Sequence, residues 1–316
     1  MEFDADLYFG TPLRLRTGRG LLGFDRVCSG SIGFDDQLSR SGAGSLLAGS
    51  ISRAFLAAGS CRRALSRGLA GCDDPQMPSF SHGEVEIHYI ERGEGFPVLL
   101  FAPGGMRSAS GFWKNSPWNP VAELSDRFRV ISMDQRNAGK STAPLSRDDG
   151  WHCYTADHLA LLDHLEIERA HLIGGCIGGP YCLGVMQAAP ERVASAVLQQ
   201  PIGFSGSNRE AFYEMFDSWA SELASHHPKM TEDDWLSFRS NMYDGDFVFN
   251  VDRDFVRGCN TPMLVLLGND LYHPEVTSRE IAELAPQAEL VERWQEPEVV
   301  PETVKRVRSF LQSHTP

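Results

Sequence analysis

The chain has 316 residues, of which 42% are hydrophobic and 22% charged, the proportions of an ordinary globular protein. Its formal net charge is −13 at neutral pH, so phosphate backbones and anionic membrane surfaces are not expected as partners. The seven cysteines are an odd number without a CxxC pair, which favours neither a disulfide framework nor a zinc site. No apolar run reaches the ~20 residues of a membrane span. We therefore expect a cytoplasmic enzyme or binding protein, and nothing in the composition calls for a metal or a cofactor.

Residues 1–76 differ in composition from the rest of the chain. They hold nine arginines, eight acidic residues, no lysine and no histidine, and their short apolar clusters lack sustained periodicity. Three interpretations stay open: a disordered or loosely helical extension, a targeting segment, or translation that really begins at Met77. The acidic residues argue against a transit peptide. We therefore favour a dispensable extension, followed by one catalytic domain over residues 77–316.

From residue 83 onward, short apolar runs alternate with helix-period segments. Alternating apolar and polar residues predict a half-exposed strand over Val85–Glu91. Apolar runs bounded by Gly, Pro or Asp predict buried strands at Val98–Ala102, Val130–Met133, His171–Ile173, Val193–Leu198 and Met263–Leu267. The last strand is expected at Ala288–Trp294. Helical periodicity predicts helices over Tyr154–Leu165, Tyr181–Ala189, Ser278–Leu284 and Pro301–Leu311. This alternation predicts an α/β fold with a doubly wound, mostly parallel sheet.

One segment, at about residues 204–259, breaks the alternation. It contains two predicted helices, over Arg209–Ala224 and Thr231–Met242, and eleven aromatic residues. A ring-rich insertion between neighbouring strands predicts a helical lid over a pocket, although any single ring is more often part of the lid's own core. The candidate pocket residues are Met106, Phe204, Phe212, Phe216, Trp219 and Tyr272.

The chemistry is predicted to follow the third buried run, His171–Ile173. There Gly174-Gly175-Cys176-Ile177-Gly178-Gly179 places a nucleophile-capable side chain in a turn of small residues between a strand and a helix. Larger neighbours would collide in so sharp a turn, which pushes Cys176 above the sheet edge. Backbone N–H groups at the following helix N-terminus can stabilise an oxyanion or lower a thiol pKa. Cys153, Cys182 and Cys259 lack such a turn and are interpreted as small buried residues, so Cys176 is the predicted nucleophile.

This turn resembles the nucleophile elbow of the α/β-hydrolase superfamily, with cysteine where most members carry serine. Two further segments follow the family's order. The segment from Asp134 to Ser141 is similar to its D-x-R-G-x-G-x-S turn, with Asn137 in place of the first glycine. Leu266 to Pro274 is similar to the strand and loop that carry the catalytic acid.

The resemblance extends over about residues 83–313 and implies the α/β-hydrolase fold. It implies that Asp270 is the catalytic acid and that the Ile177 N–H contributes to the oxyanion hole. The second amide would come from the turn after the first buried strand, at Gly104 or Gly105. The neighbouring Met106 N–H is a further candidate.

The catalytic base departs from the family pattern. Members usually keep their histidine after the last strand, but the corresponding loop here reads Gln295-Glu296-Pro297-Glu298. His273 is the best candidate, because it follows Asp270 by three residues on a loop expected at the same sheet edge as Cys176. The competing interpretation is a histidine that only shapes the loop before a proline. His152 is a weaker alternative base.

A set of Cys176, His273 and Asp270 would support chemistry through an acyl-cysteine. The leading hypothesis is a hydrolase, such as an esterase or thioesterase, for a small apolar or aromatic ester, thioester, lactone or activated carbonyl. Acyl transfer to an alcohol, amine or thiol would use the same intermediate. The missing family histidine keeps a lyase or a ligand-binding role open. An interaction role driven by residues 1–76 rests on their composition alone.

Overall fold

The structure is a computed structural model that describes residues 77–316, so the predicted N-terminal extension lies outside the described residues. Eight strands are present in this part of the chain: β1 (Ser79–His82), β2 (Val85–Arg92), β3 (Pro97–Phe101), β4 (Arg129–Met133), β5 (Ala170–Gly175), β6 (Val193–Gln199), β7 (Met263–Leu266) and β8 (Ala288–Val291). They form one sheet in the order β1-β2-β4-β3-β5-β6-β7-β8. The pairs β1–β2 and β2–β4 are antiparallel, and all the other neighbours are parallel.

This sheet confirms the predicted fold class. The predicted strands all occur, most of them displaced by one or two residues at an end. One strand was not predicted, however: β1 precedes residue 83 and pairs with β2 through Phe80 and Ile87. Phe80 is the one buried residue of that four-residue strand, so its sequence carries no alternation to detect.

Eight α-helices surround the sheet in the described residues: α1 (Pro120–Leu124), α2 (Trp151–His164), α3 (Gly178–Ala188), α4 (Arg209–Leu223), α5 (Glu232–Tyr243), α6 (Arg253–Gly258), α7 (Glu275–Leu284) and α8 (Val300–Ser313). Short 3₁₀ helices cover Gly105–Arg107, Ser110–Asn115 and Pro190–Arg192. Helix α3 begins at Gly178, three residues before the predicted start at Tyr181. Its first nine residues are all buried, so no polar face marks its first turn.

Both faces of the sheet are buried, and alternate residues of the same strands face the two sides. Leu99 and Leu172 belong to a large apolar cluster with α2 and α3, whereas Leu100 and Ile173 belong to a second cluster with α8. Successive side chains of a strand point to opposite faces. A strand that packs on both sides must therefore be apolar throughout, which explains the continuous runs in the sequence.

The segment between β6 and β7, called here the insertion (residues 204–259), contains α4, α5 and α6. Its rings pack mainly on one another: Phe216 lies 5.4 Å from Trp219 and 5.2 Å from Phe238, centroid to centroid. The Arg107 guanidinium, just after β3, bonds the Glu222 carboxylate of α4 at 2.7 and 3.0 Å. This ion pair ties α4 to the segment that follows β3. None of the helices over residues 77–316 has the length and apolar character that a membrane span requires.

Candidate active site

Cys176 lies in a sharp turn between β5 and α3. Its φ angle is +59°, in the left-handed region that residues with a Cβ seldom adopt. The backbone is held there because Cys176 N–H donates to Gln199 O and Gly179 N–H donates to Cys176 O, both at 3.0 Å. The thiol therefore lies at the carboxyl edge of the parallel strands, the usual place for sites in open α/β sheets.

The glycines around Cys176 are a steric requirement of this turn. A Cβ at Gly174 would lie 2.0 Å from the carbonyl oxygen of Gly178, and one at Gly178 would lie 2.3 Å from that of Phe101. A Cβ at Gly179 would lie 2.5 Å from the Pro201 side chain. Side chains at these positions would force backbone apart, so the small residues allow β5 and α3 to approach closely enough to form the turn.

The loop after β7 holds Asp270 and His273 as one unit. The Asp270 carboxylate accepts the backbone N–H groups of Tyr272 and His273, both at 2.9 Å. The His273 Nδ1–H donates to the same carboxylate at 2.8 Å. With the Nδ1 proton held in this way, Nε2 is the nitrogen left for proton transfer in the neutral ring. Gly268 lets the loop fold back, because a Cβ there would lie 2.7 Å from that of His273.

His273 Nε2 is turned towards Cys176. The ring is buried, and Nε2 makes no hydrogen bond of regular geometry with any described residue. A looser side-chain contact and a charge interaction nevertheless couple it to the Cys176 thiol. Long or imperfect catalytic hydrogen bonds are common when no substrate is bound.

The pKa of the Cys176 thiol is lowered from its ordinary value. Burial on its own would raise that pKa, but the His273 charge, the contact with its side chain and two backbone hydrogen bonds outweigh burial. These two bonds involve the Gly104 and Ile177 backbones. Since a bond that lowers a thiol pKa is donated to the sulfur, the donors are the N–H groups. Two of the predicted oxyanion-hole amides thus point at the sulfur.

The pKa of His273 moves in the opposite direction. Burial favours the neutral ring, but the Cys176 thiolate and the Asp270 carboxylate outweigh burial and raise the His273 pKa. Burial would likewise raise the pKa of Asp270, but the hydrogen bond from His273 and the neighbouring N–H groups lower it. Together these shifts favour a thiolate–imidazolium pair supported by a carboxylate.

The remaining histidines outside the insertion have other partners. The His158 ring is fully buried against Gln135, at 2.8 Å, and burial followed by the Arg136 charge lowers its pKa to about 3. His171 bonds Ser195 and Thr315 at the opposite end of β5. His152 is exposed, with Nε2 3.3 Å from the sulfur of Cys153. The loop after β8 carries no histidine, and its buried Trp294 donates the Nε1–H to the Leu267 carbonyl at 2.8 Å.

The other cysteines in the described residues lie outside such a turn. Cys182 and Cys259 are buried, and burial raises the pKa of Cys182 well above that of an ordinary thiol. Cys153 is half-buried, in contrast to its interpretation as a buried residue, because it lies in the exposed first turn of α2. Burial also raises the pKa of Cys153.

The candidate pocket residues fall into two groups. Phe212 lies 5.5 Å from Tyr272, the neighbour of His273, and stacks 5.3 Å from Tyr243. Phe216 and Trp219 belong instead to the ring cluster of the insertion. Phe204 packs under the Arg209 guanidinium at 4.0 Å, and Met106 is fully buried beside Gly105. Phe212 and Tyr272 are thus the two candidates linked to the His273 loop.

Two residues at the site escape prediction from the sequence. A Cβ at Gly104 would lie 3.3 Å from the Phe112 ring, and one at Gly105 would lie 2.6 Å from the Met215 sulfur. Phe112 and Met215 therefore cover the turn that bears the predicted oxyanion-hole amide. They come from a 3₁₀ helix and from α4, and no spacing in the sequence links them to Cys176.

Two cavities flank the site. The first, of about 460 Å³, is mainly apolar and lies between α4 and the turns after β3 and β4, with Phe112, Trp219 and Asn137 among its lining residues. The second has the same volume and is more polar, and Asp270 and Gln295 are among its lining residues. No group of three or more His, Cys, Asp or Glu side chains in the described part of the chain is arranged to hold a metal ion.

Comparison with known proteins gives an independent view of the fold. The family model of the alpha/beta hydrolase fold matches residues 97–238. The chain is 34% identical over 125 residues to a putative carbamate hydrolase, RutD, of Azorhizobium caulinodans, a match that covers 39% of this chain and 43% of that protein. It is 33% identical over 122 residues to a 2-hydroxy-6-oxo-6-phenylhexa-2,4-dienoate hydrolase of Comamonas testosteroni, covering 39% and 42%. The chain thus spans about two fifths of the length of these curated relatives.

Solved structures extend the likeness over more of the chain. The enol-lactonase of Burkholderia xenovorans superimposes with a TM-score of 0.56 at 22% identity, over 74% of this chain and all of that one. Identity at this level speaks for the fold alone. The sheet order, the elbow turn and the match over residues 97–238 together show that the chain has the α/β-hydrolase fold.

Proposed function

We propose that this protein is a hydrolase of small apolar or aromatic carbonyl compounds that works through an acyl-cysteine at Cys176. The observation that carries the proposal is the surroundings of the sulfur. The N–H groups of Gly104 and Ile177 point at it, and the His273–Asp270 pair shifts its pKa downwards. A structural cysteine needs none of these contacts.

In the first half of the reaction, the Cys176 thiolate attacks the carbonyl carbon of an ester. The C–S bond forms as the carbonyl π electrons move to oxygen, and the Gly104 and Ile177 N–H groups stabilise this oxyanion. The oxyanion then collapses and breaks the bond to the leaving alkoxide, which takes the proton from His273 Nε2. The products of this half are a free alcohol and an acyl-cysteine thioester.

In the second half, His273 acts as the base. Its neutral Nε2 takes a proton from water as the water oxygen attacks the thioester carbon. Collapse of the second oxyanion expels the Cys176 thiolate and releases the acid, so one ester and one water give one acid and one alcohol. Asp270 keeps Nδ1 protonated through both halves and stabilises the positive ring.

The insertion is proposed to act as a lid that sets the substrate class. Phe212, Tyr272 and Met215 place apolar surface above the His273 loop and the Gly104–Gly105 turn, which favours apolar or aromatic groups next to the reacting carbonyl. The relative named above as a 2-hydroxy-6-oxo-6-phenylhexa-2,4-dienoate hydrolase supports small carbonyl compounds that carry an aromatic group.

Acyl transfer is the second candidate, and burial of the reacting groups favours it. Cys176 is 8% exposed and His273 only 2% exposed, so the thioester would form in a site that restricts water. An alcohol, amine or thiol bound under the lid would then compete with water for the acyl group. Addition of such acceptors to an ester assay distinguishes the two, because transfer yields a new ester, amide or thioester.

The test is turnover of a panel of p-nitrophenyl esters by the wild-type protein and by Cys176→Ala, His273→Ala and Asp270→Asn. We expect loss of at least about a hundredfold in kcat for the first two variants, since nucleophile and base act as one unit. Asp270→Asn should lose less, because the thiol and the imidazole stay in place.

Cys153→Ala and His152→Ala are the matched controls. They remove a second neighbouring Cys–His pair, which lies on the surface of α2, and should keep wild-type turnover. Wild-type turnover by Cys176→Ala would contradict the proposed nucleophile. Loss in Cys176→Ala with full activity in His273→Ala would contradict the proposed base alone.

A further inference from the structure

Two tyrosines lie side by side beneath the insertion, outside the catalytic set. Tyr154 and Tyr181 stack with their ring centroids 5.1 Å apart and their planes within 25°. They are the fourth residues of α2 and α3, helices that both start at the sheet edge that carries Cys176. The pair therefore lies about one helical turn below the level of the nucleophile.

Both hydroxyls are buried without a partner. The two side chains are 0% and 1% exposed, and neither phenolic oxygen has a hydrogen-bond partner among the described residues. A buried polar group left unpaired is costly, and phenylalanine would fill the same space without that cost. Two such hydroxyls in one stacked pair indicate a ligand atom that they bind.

The tyrosine pair lies close to Cys176 and to the insertion. Tyr181 follows Cys176 by five residues, and burial, the two neighbouring tyrosines Tyr154 and Tyr243 and then the Cys176 charge raise its pKa. The insertion closes over the pair, because Trp151, whose ring lies 5.5 Å from that of Tyr181, donates its Nε1–H to the Met242 carbonyl at 2.7 Å. The pair thus lies close enough to Cys176 to respond to its charge, and it is linked through Trp151 to the insertion.

The charges around the pair favour an uncharged ligand. The nearby cation is Arg136, 5.7 Å from the centre of the Tyr154 ring, and Asp157 holds it through hydrogen bonds of 2.7 and 2.8 Å. His158, whose ring lies 5.1 Å from that of Tyr181, is neutral at physiological pH because its pKa is lowered to about 3 by burial and by Arg136. A buried carboxylate would find no unbalanced cation among these groups.

We propose that Tyr154 and Tyr181 form a subsite for an uncharged oxygen, such as a ketone or amide carbonyl, on the acyl part of the substrate. This subsite rests on the proposed function, since the acyl group extends from Cys176. The two hydroxyls donate to the substrate oxygen, which selects oxygenated acyl groups over their purely hydrocarbon counterparts. The aromatic surroundings hold the carbon chain between the two ends.

Matched pairs of esters test the subsite. The p-nitrophenyl esters of 4-oxopentanoic, 5-oxohexanoic and 6-oxoheptanoic acids are compared with those of pentanoic, hexanoic and heptanoic acids. We expect the wild type to prefer at least one oxo ester over its partner in kcat/KM. That ratio should fall by about tenfold in Tyr181→Phe and in Tyr154→Phe, because the oxygen loses a donor.

Tyr89→Phe is the control, since Tyr89 is a buried tyrosine on the distant strand β2, and it should keep the wild-type ratio. If the wild-type protein hydrolyses the two esters of every pair with equal kcat/KM, the subsite is overturned, and the two hydroxyls bind only ordered water. An unchanged ratio in both phenylalanine variants would overturn it too. Preference for the p-nitrophenyl monoester of glutaric acid would overturn the assignment to an uncharged oxygen.

Binding measurements separate this proposal from the proposed function. The Cys176→Ala variant and the double variant Cys176→Ala/Tyr181→Phe are each titrated calorimetrically with 5-oxohexanamide and with hexanamide. Tighter binding of the oxo amide that disappears with Tyr181→Phe supports the subsite even if no ester is turned over. Equal binding of the two amides contradicts the subsite whatever the esterase result.

Discussion

Opposing effects meet at the sulfur of Cys176. Burial disfavours the thiolate, whereas the His273 charge and two backbone N–H groups favour it. The net effect is a lowered thiol pKa and a raised His273 pKa, so both groups are charged between these two values. Within that pH range the protein holds a nucleophile and a proton donor at the same time.

This pair predicts the pH dependence of alkylation. The rate of reaction of Cys176 with iodoacetamide should rise with pH through a midpoint below the ~8.5 of a free thiol, because the lowered pKa extends the thiolate towards acid. His273→Ala should move the midpoint upwards, since burial then acts without the imidazolium. The measurement is the alkylation rate of the Cys176 peptide by mass spectrometry as pH is varied.

His152→Ala is the control for this profile and should leave the midpoint in place. A midpoint that is the same in the wild type and in His273→Ala would show that the ring does not stabilise the thiolate. Cys182, whose pKa is raised by burial, provides an internal reference that should react far more slowly.

The residues of the site differ in how far the sequence predicts them. Cys176 is marked by the glycines around it. Asp270 is suggested by the family resemblance of its loop, and His273 by its position three residues later. The Gly104 amide follows from the place of its turn after β3. Phe112 and Met215 reach the site only through tertiary packing, which leaves no periodic signal in the chain.

At the scale of elements, the turn from β5 to α3 depends on close backbone contact. Gly178→Ala should lower the free energy of unfolding by about 1–3 kcal/mol, because its Cβ would lie 2.3 Å from the Phe101 oxygen. Esterase activity should fall as well, since the shift moves Cys176 relative to the Gly104 amide. Chemical denaturation measures the first effect and ester turnover the second.

Gly258→Ala is the matched control at the end of α6, where a Cβ would meet nothing within 4 Å. It should change the free energy of unfolding by less than about 0.5 kcal/mol. A Gly178→Ala variant as stable as this control would mean that the turn tolerates a side chain and that its glycines have another role.

The ion pair between Arg107 and Glu222 is one of the contacts that tie the insertion to the turn after β3. Glu222→Gln should speed iodoacetamide labelling of Cys176 by about two- to fivefold, because it weakens the contact between Arg107 and α4. The effect should stay small, since a partly exposed ion pair contributes little to the free energy that holds α4 in place. Glu210→Gln, an exposed change on the same helix, should leave the labelling rate unaltered. Equal rates in both variants would argue against opening of the insertion as the path to the sulfur.

Elements were predictable where burial gives a periodic pattern. The strands β3 to β7 are buried on both faces and read as continuous apolar runs, and α8 has one buried face and starts within a residue of its predicted position. The short helices α6 and α1 were not predicted. Helix α6 has one buried residue, and α1 starts with a backbone N–H bonded to the Asn119 side chain and with Pro120 in its first turn. Their formation depends on capping and on contacts from distant segments.

At the scale of the molecule, the parallel sheet brings separate segments to one edge. β3 and β6 both neighbour β5 in the sheet, and β7 lies beside β6. The turn after β3 therefore brings the Gly104 amide beside Cys176, and the loop after β7 brings His273 from across β6. In the proposed mechanism the acid and the base share that one loop, so the loop after β8 needs no catalytic histidine.

The most direct test of the account is the covalent intermediate. Wild-type protein and Asp270→Asn are mixed rapidly with p-nitrophenyl butyrate, quenched in acid and analysed by intact and peptide mass spectrometry. The account predicts a butyryl group on the peptide that contains Cys176, present longer in Asp270→Asn because deacylation needs the oriented His273. A butyryl group found on another residue instead, or turnover at the wild-type rate by Cys176→Ala, would contradict the acyl-cysteine mechanism.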